Sequence, residues 1–81
     1  MTRRILVECY SGGRADERPR RVFIDGRAHT VARLLGAATE ESFDTGERAY
    51  RYSVLTEQGS ILEIKRTADG DWHLLSERPS E

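Results

Sequence analysis

The sequence predicts a mainly β domain, a five- to six-stranded antiparallel meander that curls into a sheet or a small open SH3-like barrel. Two observations carry this. Short runs alternate apolar and polar residues with a period of two, as in Ile5-Leu6-Val7-Glu8-Cys9 and Tyr50-Arg51-Tyr52-Ser53-Val54. Between the runs lie glycine-containing reversals, Asp25-Gly26, Glu57-Gln58-Gly59 and Asp69-Gly70, of hairpin length. With 81 residues there is room for one domain.

The elements follow in order. Arg4 to Tyr10 is the first strand, with Ile5, Val7 and Cys9 on one face and Leu6, Glu8 and Tyr10 on the other. Ser11-Gly12-Gly13 ends it, a charged loop follows, and Pro19 closes the loop. Arg21 to Ile24 is the second strand, rich in β-branched and aromatic residues. Asp25-Gly26 then makes a two-residue turn, because both residue types tolerate positive φ.

The next segment admits two readings. The turn calls for a returning strand through about Leu35. Val31, Leu34, Leu35 and Ala38 also match the i, i+3, i+4, i+7 helical template, so one short helical turn near Val31 to Ala38 is the alternative. Gly36 is expected to open a long acidic loop containing Glu40, Glu41 and Asp44. Arg48 to Leu55, Ser60 to Arg66 and Asp71 to Leu75 complete the strands. The domain thus spans residues 1–75, and the polar tail 76–81 reads as disordered.

The expected core is Ile5, Val7, Val22, Ile24, Val31, Leu34, Tyr52, Val54, Leu62, Ile64, Trp72 and Leu74. A core this small implies modest stability, which a dimer contact would raise.

Charge is unevenly placed. Residues 1–36 hold eight Arg against four acids, and residues 37–81 hold five basic residues against ten acids, for a net charge of -1. The overall balance argues against a general polyanion binder. A single cysteine, Cys9, rules out a disulfide within the chain and Cys-rich zinc sites. The apolar run Ile5-Leu6-Val7 is too short for a signal-peptide core or a membrane helix, so a reduced, cytoplasmic setting and no membrane partner are expected.

Tyr10-Ser11-Gly12-Gly13, Glu17-Arg18-Pro19, and Phe23 with Asp25-Gly26-Arg27 form a pattern that Tyr52, Val54, Gly59, Arg66, Asp71, Trp72 and Leu74 continue. This pattern resembles a bacterial family of small uncharacterised β domains. It is also similar to the C-terminal domain of proteins that look like Y-family translesion polymerases. The resemblance covers roughly residues 7–75. It implies an accessory β module tied to DNA repair or mutagenesis and brings no catalytic residues with it. The family tends to place an aromatic residue after the third strand, where this chain has Gly36-Ala37-Ala38-Thr39.

No motif for catalysis emerges. Cys9 would need His29 or His73 as its base, and nothing in the spacing brings them together. The two histidines also lack metal-ligand spacing and read as solvent-facing strand residues. Gly12-Gly13 lacks the Lys and Ser/Thr of a phosphate loop. Glu40-Glu41 sits in the expected loop, without the fixed geometry acid–base work needs.

The expectation is therefore a non-enzymatic interaction module without cofactor or metal. Its partner is a protein or a second copy, met through exposed strand edges and an aromatic patch of Tyr50, Tyr52 and Trp72. The alternative is nucleic-acid binding through Arg14, Arg18, Arg20, Arg21 and Arg27, with Tyr10 and Phe23 stacking on bases.

Overall fold

A computed structural model describes residues 2–10 and 18–80. Six strands follow one another: β1 (Arg3–Cys9), β2 (Pro19–Ile24), β3 (Arg27–Glu41), β4 (Arg48–Thr56), β5 (Ser60–Arg66) and β6 (Trp72–Pro79). Each pairs antiparallel with its neighbour, and β1 pairs with β6, so the meander closes into a barrel instead of staying open.

Closure depends on two strands that divide their length between partners. In β1, Arg3 to Ile5 pair with β6 and Leu6 to Cys9 pair with β2. In β3, Arg27 to Thr30 pair with β2 and Val31 to Glu41 pair with β4. The bend in β3 is made by two bulges that leave Ala32 and Leu35 without opposite residues on β4.

These bulges explain why the segment has two readings in sequence. Val31, Leu34 and Ala37 face Thr56, Val54 and Tyr52 in turn. Paired residues share a face. The same side of β3 therefore recurs every three residues while that of β4 recurs every two. Spacing of three imitates a helix, but no helix forms; the whole stretch is strand. The expected acidic loop is also mostly strand. β3 runs on to Glu41, and the reversal is confined to residues 42–47, where the Gly46 amide donates to the Ser42 carbonyl at 2.8 Å.

The tail is a second correction. Ser76 to Pro79 belong to β6 and pair with Glu63 to Ser60 after a bulge at Leu75. The Ser80 amide donates to the Gly59 carbonyl at 2.9 Å. Composition there is polar because the side chains are exposed, yet β5 supplies backbone partners that composition does not reveal.

The turns behave as their residue types require. Asp25 and Gly26 both take positive φ, 53° and 78°, the two-residue hairpin geometry that matches strand twist. Gly59 (φ 88°) ends a tight turn in which its amide donates to Thr56 O, while the Thr56 hydroxyl accepts from the Ser60 amide. That bond satisfies the hydroxyl of Thr56, which is buried.

Inside the barrel, Ile5, Val22, Ile24, Val54, Leu62, Ile64, Trp72 and Leu74 are buried, with Val7, Cys9, Val31, Leu34 and Tyr52 packed against them. Every expected core residue is present, joined by Cys9. His29 departs from expectation. It faces Val22, whose side chain is buried, so it points inward rather than to solvent. Its Nδ1 is buried and has no hydrogen-bond partner among the described residues.

Two substitutions are expected to move stability in opposite directions. Leu62→Ala removes a fully buried side chain and should cost about 2–5 kcal/mol, a large part of what so small a domain has. His29→Leu removes an unpaired buried nitrogen and should raise stability by about 1 kcal/mol or more. Urea unfolding checks both; a destabilised His29→Leu variant would show that Nδ1 is satisfied in solution.

Candidate functional site: an open strand edge beside an aromatic face

Beyond Thr30, β3 is paired on one side only among the described residues. Its residues Val31 to Glu41 bond to β4, and no described strand occupies the opposite edge. From Gly36 to Glu41 the ladder to β4 is regular, so this edge is straight and six residues long. Gly36, Ala37, Ala38 and Thr39 are all exposed and all small. Small side chains leave backbone amides and carbonyls approachable, which is what an added strand requires.

The face beside this edge is aromatic. Cross-strand pairing places Thr39, Tyr50, Arg66, Trp72 and Ile5 in one row on the inner side of the sheet. The next row holds Ala37, Tyr52, Ile64 and Leu74. Tyr52 and Trp72 have ring centroids 5.6 Å apart, tilted by 36°. The Arg66 guanidinium lies 5.8 Å from the Tyr50 ring centroid, within cation–π range.

The three aromatic residues expected to meet a partner are thus brought together, with unequal access. Trp72 is only 8% exposed and acts as the floor. Tyr50 and Tyr52 are half-buried and form the accessible part. Ala37 and Thr39 are too small to screen them from a strand laid along β3.

The four described arginines of the expected cluster do not form one patch. Arg14 lies outside the described residues. Arg18, Arg20 and Arg21 sit at the start of β2, with the Arg20 guanidinium 5.7 Å from the Tyr10 ring centroid. Arg21 is tied to Glu8 at 3.5 Å. Arg27 pairs with Ile24, about 10 Å from Arg21 along the strand, and lies on the side of the buried Ile24 while Arg21 lies on the opposite side.

A different basic row is legible only from the register. Arg51, Lys65, His73 and Arg4 lie side by side across β4, β5, β6 and β1. Acids interrupt it. Glu40 contacts Arg51 at 3.1 Å and Lys65 at 3.5 Å, and Asp71 contacts Arg4 at 3.0 Å. His73 is therefore on the outer face, away from inward-facing Cys9. Among the described residues no group of three or more His, Cys, Asp or Glu is placed to hold a metal ion.

Two exposed apolar residues had no role in the sequence reading. Leu6 is 73% exposed on the outer face of β1, opposite Phe23. Phe43 is fully exposed at the tip of the β3–β4 hairpin. No family model matches the chain, and neither a curated protein nor a solved structure does.

The titration of Glu40 is displaced. The hydrogen bond from Arg51 lowers its pKa most; desolvation opposes this, and Lys65 adds to the lowering. A depressed carboxylate stabilises the fold above the ordinary glutamate range and loses that contribution as pH falls through the folded-state value. An NMR titration should place the Glu40 midpoint below that of a free glutamate, and Arg51→Gln should move it upward. An unchanged midpoint in that variant would mean the ion pair does not persist in solution.

Proposed function

We propose that this domain is a non-enzymatic interaction module that accepts an extended partner segment along the open edge of β3. The single observation behind this reading is the one-sided pairing of β3 from Val31 to Glu41. An added strand gains main-chain hydrogen bonds from the edge, and its alternate side chains gain a surface to read. Tyr50 and Tyr52 lie one strand away, across Ala37 and Thr39, within reach of long apolar side chains on the partner. The resemblance noted from the sequence would place that partner among proteins of DNA repair or mutagenesis.

The aromatic floor is part of the barrel core, which suits a docking surface that must not rearrange. Nucleic-acid binding is the second reading, supported by Arg20 stacked near Tyr10 beside Arg18. It draws on fewer arginines than the sequence suggests, since Arg27 lies on the other side of the sheet from Arg21 and Arg21 is ion-paired.

The edge reading is tested by hydrogen exchange and peptide titration. In the free domain, alternate amides from Gly36 to Glu41 should exchange fast, since half point away from β4. Extended peptides selected on the domain should slow those amides and shift Tyr50 and Tyr52. Ala37→Lys with Thr39→Lys should weaken such binding roughly tenfold or more, since edge lysines oppose strand addition. Uniform protection of these amides without peptide, or selected peptides that shift only residues far from β3, would overturn the proposal.

A further inference from the structure

Two unexplained apolar features lie at opposite ends of the same strand. The first is Phe43. It tops a two-stranded arm in which β3 and β4 pair out to Glu41 and Arg48, past the last β4–β5 pair at Tyr50. The two-stranded part, Glu40 and Glu41 against Ala49 and Arg48, adds about 7 Å at strand rise before the turn that carries Phe43. A wholly exposed phenylalanine there contributes nothing to the core.

The second is a groove of about 450 Å³ lined by Arg4, Ile5, Leu6, Phe23, Asp25 and Gly26. Its apolar wall is Leu6 beside Phe23, continued across β3 by Ala28. The volume is ample for a phenyl ring.

The charges around the two features are complementary. The arm carries Glu41, Asp44 and Glu47 against Arg48. The groove is bordered by Arg3, Arg4 and Arg27 against Asp25 and Asp71, which leaves one net positive charge. The Arg3–Asp25 ion pair, 3.3 Å, braces that border.

We propose that copies of this chain associate head to tail, with Phe43 of one copy seated in the Leu6–Phe23 groove of the next. A chain cannot fill its own groove. β3 leaves the groove wall at Ala28 and runs outward into the arm, and a strand does not double back on itself. The two surfaces differ, so the contact is heterologous, and a dimer still offers one free arm at one end and one free groove at the other. The contact uses the hairpin tip, leaves the β3 edge free, and stands independently of the edge reading.

Sedimentation equilibrium on the full chain tests this. The wild type should associate with rising concentration, less so at high salt. Phe43→Ser and Leu6→Glu should each be monomeric, and because both side chains are exposed the folds should be intact by circular dichroism. Mixing the two variants is the discriminating step. Phe43→Ser retains the groove and Leu6→Glu retains the arm, so the mixture should form a 1:1 dimer and stop there. If Leu6→Glu perturbs the fold, Leu6→Ala replaces it. A wild type that stays monomeric up to about 1 mM overturns the proposal. Association that survives both substitutions, or a mixture that stays monomeric, overturns it as well.

Discussion

The molecule depends on the bend in β3. In this six-stranded meander β1 and β3 change partners partway, and β3 does so at Val31, handing over from β2 to β4. The bulges at Ala32 and Leu35 make that turn possible by letting the strand twist sharply without leaving the ladder. They also keep the correct side chains inward. Without the extra residues, Leu34 and Ala37 would fall out of step with Val54 and Tyr52.

The same bend creates the exposed edge. Once β3 has left β2, nothing described covers its outer side, and fifteen residues of strand are more than the barrel wall uses. The excess becomes an arm. Closure of the barrel and exposure of an edge are thus two results of one geometric event. Natural sheets blunt such edges with charge and bulges. Here bulges guard the first part of the edge, and acids stand at its end, while Gly36 to Thr39 between them carries neither.

Rigidity and access are divided between the two sides of the aromatic face. Trp72 is pinned by Ile5 across β1 and by Tyr52 beside it. Tyr50 is held by Arg66 instead of by apolar packing, at the margin of the core. Ion pairs elsewhere link neighbouring strands on the outer surface, as Glu40 does between Arg51 and Lys65 and Glu63 with Arg78. Exposed pairs of this kind contribute little individually, and the barrel rests on its eight buried side chains.

The sequence by itself determined the strand class, the turns at Asp25-Gly26, Glu57-Gln58-Gly59 and Asp69-Gly70, and every core residue but Cys9. Those properties are local: period-two burial and positive-φ residues leave direct marks on residue order. It also placed Tyr50, Tyr52 and Trp72 as a group, since alternation assigns a face. Tertiary structure decided the rest. β3 past Leu35 and the tail past Leu75 bury little side-chain surface, so no hydrophobic period marks them, and they are strands because β4 and β5 offer backbone partners. The scatter of the arginines, the inward turn of His29 and the open edge all follow from register and closure. These are relations between distant segments, which no single run of residues encodes.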